Sequence, residues 1–265
     1  MAEKQLFKDQ MGSEVIIPHS PMRVISLVPS QTELLFDLGL EDKIAGLTKF
    51  CIHPADSVKS KPIIGGTKNF RFDKIDEIQP DLIIGNKEEN YESGINQLKK
   101  KYPVWMSDIY DLNDSLNMIT SIGTIFRVED KANRLVNSIR TSFDQLPEFK
   151  KLTCLYFIWN KPKMVVGKDT FINKMLQKSG FENLISPSRY PELSLEELEN
   201  LQPQVVLLSS EPFPFKKKHL EEFEELFPKS KILIVDGELF SWYGSRLLKT
   251  ADYFKQLRAK LDPLF

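Results

Sequence analysis

The sequence predicts an α/β protein of two lobes, each built on a mainly parallel sheet and joined by a single long helix. Three observations lead there. From Arg23 onward, short apolar and β-branched runs alternate with helical spacings in both halves of the chain, the pattern of parallel strands covered on both faces. The phrase DKIDEIQPDLIIG, starting at position 73, returns as EELENLQPQVVLL at position 196, an offset of 123. Between the copies lies a helical region without strand signals.

In the first half RVISLV, KIAGLT, DLIIG and PVWMS read as strands; in the second TCLYFIW, KMVVG, VVLLSS and KILIVD do so. Ser30-Gln31-Thr32-Glu33 follows Pro29 with the spacing of a capping box, and Gly39 stands where that helix would stop in the left-handed region. Ser194 and Glu197 repeat the box spacing. In both copies of the repeated phrase Gln-Pro closes a helix, because proline restricts the residue before it and cannot continue the hydrogen-bond ladder. Leu112, Leu116, Ile119 and Phe126 space out one helix, and Val128, Ala132, Leu135, Val136, Ile139, Phe143 and Leu146 a second. The second, about 19 residues or roughly 28 Å long, is stiff enough to serve as a hinge, unlike a Gly/Ser linker. The lobes are thereby placed at 1–125 and 149–265, with the connecting helix at 126–148.

Composition narrows the function. The 265 residues carry 41% apolar and 28% charged side chains with a net charge of −1, which supports a proper core and offers no broad field for nucleic acid or an anionic membrane. Cys51 and Cys154 lie in opposite halves and say little of redox compartment. The first 20 residues hold no apolar run of signal-peptide length and no segment is long enough for a membrane span, so the chain as written reads either as cytoplasmic or as a mature or trimmed form. G-x-S-x-G, H-E-x-x-H and P-loop sequences are missing, and the expectation is a protein that is not an enzyme.

RVISLVPSQTELLFDLGL, KPIIGG, the paired helix-Gln-Pro-strand phrase, the connecting helix and the late DGELFSWYGSRLL together resemble the helical-backbone class (class III) of solute-binding proteins serving ABC importers for cobalamin, ferric siderophores and haem, most closely its cobalamin-binding members. The resemblance spans nearly the whole chain. It implies two Rossmann-like lobes, a corrinoid ligand in the cleft between them, small inter-lobe motion, a periplasmic or cell-surface monomer, and a partner consisting of an ABC permease dimer with its ATPase subunits. A ferric-siderophore or haem receptor of the same class is the alternative; a cytoplasmic corrinoid carrier and a two-domain enzyme using the same cleft are the others. Carried over residue by residue, the acids that dock on the permease's arginine pockets fall on Asp73 and Glu196, although the class usually has Glu at the first. A two-fold partner needs equivalent charges at equivalent positions; the same acids also favour the positive ends of their helices.

Ligands of open α/β sheets sit beyond the carboxyl ends of the strands, which directs attention to loops 49–54, 65–69, 86–91, 159–162 and 240–246. Their aromatic residues Phe50, Trp159, Trp242 and Tyr243 offer faces for a large flat ligand, and packing at the lobe edges is their other role. Phe50 matches an aromatic position of the cobalamin-binding members. Lys68 and Arg246 could neutralise acidic groups on a ligand. His53, with Cys51 two residues before it, has donor chemistry for cobalt or iron, but two donors do not define a metal site and a hydrogen-bonded loop role is the simpler reading.

Overall fold

The computed structural model describes residues 4–264; residues 1–3 of the segment inspected for an export signal, and 265, lie outside it. The chain divides into two compact units: Met1–Ile109, Asn113–Arg140 and Tyr243–Arg246 form the first, and Tyr110–Leu112, Thr141–Trp242 and Leu247–Phe265 the second.

The first unit opens with an antiparallel hairpin of β1 (Lys4–Lys8) and β2 (Glu14–Pro18). Then come β3 (Val24–Ser26), α1 (Pro29–Asp37), β4 (Ile44–Leu47), the short pair β5 (Gly65–Gly66) and β6 (Asn69–Phe70), α2 (Phe72–Ile78), β7 (Leu82–Asn86), α3 (Glu92–Lys99) and β8 (Val104–Ser107). The main sheet has the order β4-β3-β7-β8 and is parallel throughout. Val24, Ile25, Leu82, Ile83 and Ile84 are all fully buried, so these strands tolerate no polar alternation. Helices α4 (Leu112–Phe126) and α5 (Glu129–Asp144) follow, separated by Arg127 at a positive φ of 57°. Helix α5 stops two residues short of the Leu146 expected from spacing; its 16 residues give about 24 Å.

Helix α1 corrects one reading. It starts at Pro29 with Val28 as N-cap and no side-chain cap bond, so the capping box expected at Ser30 and Glu33 does not form. Proline supplies the first helical residue, where its missing N–H costs nothing, which moves Ser30 inside the helix and turns Glu33 to other work. The stop at Gly39 is as expected: φ is +75° and its N–H reaches the Phe36 carbonyl at 2.8 Å.

The second unit contains β9 (Leu152–Trp159), β10 (Met164–Val165), α6 (Phe171–Lys178), β11 (Phe181–Asn183), α7 (Leu195–Glu199), β12 (Val205–Ser209), α8 (Leu220–Leu226), β13 (Lys231–Val235), α9 (Glu238–Ser241) and α10 (Leu247–Leu261). Its sheet runs β10-β9-β12-β13, with β11 also parallel to the start of β9. KMVVG supplies only the two-residue, antiparallel β10. Leu155, Phe157, Val206, Leu208, Phe223 and Phe227 form the centre of one core, where the Phe157 and Phe223 rings meet edge to face at 4.8 Å. The capping box at Ser194 and Glu197 is formed in full.

The repeated phrase folds as the same unit twice. Strands β7 and β12 begin and end 123 positions apart, at 82 and 205 and at 86 and 209, and each lies between two parallel neighbours of its own sheet. Asp73 and Glu196 are each the second residue of the preceding helix. In the first copy Gln79 closes α2 in the left-handed conformation, φ 49°, with its N–H on the Ile75 carbonyl. A residue with a Cβ is strained there, by roughly 1–2 kcal/mol, and glycine is not. Gln79→Gly will therefore raise stability by up to about 1 kcal/mol, seen as a higher urea midpoint at unchanged slope.

Candidate functional site

In the first unit the loop after β4 turns through Lys49, whose N–H bonds the Gly65 carbonyl at 2.9 Å. Phe50 is half exposed, with the Lys49 ammonium 5.0 Å from its ring centre. Its ring lies against Gly66, where a Cβ would come within 3.3 Å. Cys51 points the other way: it is 4% exposed, its Sγ lies 3.0 Å from Thr32 Oγ1 and 3.3 Å from Thr48 Oγ1, and burial pushes its thiol up despite those hydroxyls. His53 is half-buried. Among the described residues no three His, Cys, Asp or Glu side chains gather as a metal set.

The loop after β7 is organised by two asparagines. Asn86 Oδ1 accepts from the N–H groups of Glu88 (2.8 Å) and Glu89 (3.1 Å), while Asn90 Oδ1 accepts from Asn86 N–H (2.9 Å). Asn90 also donates to the Thr67 carbonyl at 3.1 Å, and Lys68 Nζ to the Glu88 carbonyl at 2.5 Å, tying loops 65–69 and 86–91 together. Lys68 thus has a structural bond as well as an exposed charge. Glu89 is partly buried; desolvation first, then the charge of Glu88, raises its carboxyl, with Lys68 opposing. Neither asparagine nor the Glu pair was singled out in the sequence, although Asn86 and Asn90, four apart after a strand, were the available signal.

Tyr243, Ser245 and Arg246 also belong to this unit. Tyr243 is 6% exposed. Burial first, and then the charge of Glu89, hold its phenol well above the usual range while the hydroxyls of Ser30 and Ser107 pull the other way. Arg246, expected at a ligand, forms a buried bidentate pair with Glu33: Nε to Oε2 at 2.8 Å and Nη2 to Oε1 at 2.7 Å. Two of its donor nitrogens are committed to the fold.

In the second unit Trp159 ends β9 and is 38% exposed, its Nε1–H on the Lys161 carbonyl at 3.1 Å and its ring edge-on to Phe213 at 5.6 Å. Trp242 is 7% exposed and closes α9 through its N–H on the Glu238 carbonyl at 2.9 Å. Of the four expected aromatics, Phe50 and Trp159 present their rings to solvent, and Trp242 and Tyr243 are buried.

Asp73 and Glu196 are both exposed. They differ in one respect: Arg71 Nη2 lies 3.0 Å from Asp73 Oδ2 and its hydrogen bond holds the Asp73 carboxyl below the ordinary range, whereas no cation pairs with Glu196 among the described residues.

Two α/β units with mainly parallel sheets, and aromatic faces at the strand ends, fit a solute-binding protein. The chain belongs to the periplasmic binding protein family, whose model matches residues 24–226, and is an ABC transporter substrate-binding protein, not an enzyme. Among its relatives is the ABC transporter substrate-binding lipoprotein YvrC of Bacillus subtilis, 26% identical over 259 residues that cover 91% of this chain and 81% of that one. The vitamin B12-binding protein of Pectobacterium carotovorum is 23% identical over 92% of this chain and 90% of its own. A periplasmic haem-binding protein of Pseudomonas aeruginosa shares the fold with a TM-score of 0.76, at 20% identity over 90% of this chain and 92% of that one.

Proposed function

We propose that the chain captures a corrinoid of the cobalamin type and hands it unchanged to an ABC permease dimer with its ATPase subunits, acting as a monomer in the periplasm or at the cell surface. The observation that carries the reading is the presence of two exposed aromatic rings, Phe50 on the loop after β4 in the first unit and Trp159 at the carboxyl end of β9 in the second. Large flat ligands are held by such faces with a few polar groups for orientation, and Lys68 is an exposed cation on a neighbouring loop of the first unit. Cys51 is withheld from metal by its burial, and a corrinoid with both axial positions filled requires no protein donor; His53 then serves as a loop contact. The vitamin B12-binding relative points the same way. Haem is the second reading, favoured by the fold shared with a haem-binding protein.

Titration with cyanocobalamin will quench tryptophan fluorescence saturably, and Trp159→Ala will weaken binding by roughly 1–3 kcal/mol, the value of a stacking platform. Hemin and a ferric catecholate, followed by their own visible bands, are the competing ligands. Absence of saturable corrinoid binding up to about 100 µM, far weaker than a useful receptor, removes the corrinoid assignment.

A further inference from the structure

The second unit holds a cavity of about 1160 Å³ that none of the loops above enters. It lies at the opposite end of the sheet. Phe149, Lys150 and Lys151 precede β9, and Phe181 to Asn183 form β11 beside the first three residues of that strand. Trp159 ends the same eight-residue strand, about 23 Å away at 3.3 Å per residue.

The cavity has an apolar floor and a cationic rim. Phe143, Phe181 and Ile185 are buried at 5%, 2% and 3% exposure and line it, with half-buried Leu146 and Phe149 beside them. Around this floor stand Lys150, Lys151, Lys168, Lys174 and Lys178, against Glu148, Asp169 and Glu182. The rim is thus net positive in a chain of net charge −1. Of the three acids Asp169 is occupied, its Oδ2 accepting from Ser188 Oγ at 2.7 Å. The ammonium groups of Lys151, Lys168, Lys174 and Lys178 have no ion-pair or hydrogen-bond partner among the described residues.

The lining also holds the amide side chains of Asn173, Gln177 and Asn183. Asn173, 7% exposed, lines the cavity; its Oδ1 accepts from Asn183 Nδ2 at 3.1 Å, and its own Nδ2 has no acceptor among the described residues. The far wall is braced by Arg258. Its guanidinium is fully buried, bonds the carbonyls of Lys150 (2.5 Å), Gly180 (3.1 Å) and Ser179 (3.3 Å) and the Asp262 carboxylate, and lies between the rings of Phe149 and Phe181 at 5.3 and 5.1 Å. With its donors spent on the fold, Arg258 holds the cavity's shape and leaves charge recognition to the lysines.

We propose that this cavity is a second binding site, for a small organic anion with a doubly charged head, a phosphate or dicarboxylate, on an apolar body. The apolar floor takes the body, the unpaired lysines take the head as point charges without demanding a fixed geometry, and Asn173 Nδ2 supplies a directed hydrogen bond. The site is independent of the corrinoid reading, and its ligand class differs from that of the strand-end loops.

The test uses the full chain, ¹⁵N-labelled, with 1-naphthyl phosphate as probe. Saturable binding will shift the Asn173 side-chain amide and leave the Trp159 indole unmoved. Inorganic phosphate alone and 1-naphthol alone will each bind at least tenfold more weakly, and the double variant Lys174→Glu/Lys178→Glu, both exposed and so safe for folding, will weaken the probe at least tenfold while cyanocobalamin titration is unchanged. Equal affinity for 1-naphthol, indifference to the charge reversals, or shifts confined to the Trp159 loop each overturn the proposal. Sedimentation with phosphatidylglycerol vesicles separates the sources of the head group. Vesicle binding displaced by the probe identifies a lipid head as occupant; vesicle binding lost in the double variant without any binding of the soluble probe makes the lysines a membrane-facing surface and overturns the cavity site.

Discussion

Replacing Arg246 by methionine will destabilise the protein by about 3–5 kcal/mol, the cost of leaving a buried carboxylate without its partner. Glu33 and Arg246 have side chains about one-tenth exposed and meet through two parallel N–H to O bonds, the geometry in which a guanidinium and a carboxylate gain most. Methionine fills much of the volume but returns no charge, so the buried Glu33 carboxylate is left without its partner. The double variant Glu33→Met/Arg246→Met will recover most of the loss, since desolvating both ions offsets much of their attraction. Urea unfolding of Arg246→Met, of Glu33→Met and of the double variant settles the point: an Arg246→Met loss below about 1 kcal/mol, the range of exposed pairs, would show that the pair is solvated and that Arg246 is open to ligand chemistry.

That pair also shows where the sequence stops being readable. Glu33 sits three residues after Ser30, which is the local signature of a helix start, and Arg246 sits in an aromatic loop, the local signature of a ligand contact. Each local pattern is genuine, yet their partnership spans 213 positions and only folding brings them together. Pro29 decided the matter for the helix by taking the first position itself. The strands were legible for the opposite reason: in β3, β7, β9 and β12 nearly every residue is buried, so each is an unbroken apolar run that needs no distant information. Hairpin β1–β2 and the short β5, β6 and β11 were missed. In the first, β1 buries no residue and β2 buries only Val15 and Ile17, while Leu6 and Ile16 are exposed, which is too short an alternation to read as a strand, and the others have only two or three residues, below any periodicity. The lysines of the second cavity are spread from 150 to 178, and each by itself reads as solvated surface. The aromatic loops were found because β4 and β9 were found; which rings face outward was decided by neighbours such as Gly66 and Phe213.

Reversing Glu196 to lysine will reduce transport by the cognate permease more than tenfold while leaving ligand affinity unchanged, and Asp73→Lys will do the same to a smaller extent. The expectation rests on the reading of these acids as permease contacts. They occupy the same position in two copies of one helix-strand phrase, the arrangement a two-fold partner with paired cationic pockets would meet, and like charges brought together at such a contact are strongly disfavoured. The inequality comes from Arg71, which already holds Asp73 at 3.0 Å and must share that carboxylate with the partner, whereas Glu196 offers an undivided charge. Arg71→Ala will accordingly tighten docking of the wild-type pair, and the gain will vanish in an Asp73→Ala background, where no carboxylate remains to be released. Salt will weaken docking of the native protein and have less effect on the double Asp73→Ala/Glu196→Ala variant, because screening acts only on the charges that are present. Measurements on liposomes carrying the permease, alongside ligand titration of each variant, distinguish the possibilities. Normal transport by both reversals would reduce the repeat to a folding device, and loss of ligand binding in either would move these helices from the permease contact to the ligand site.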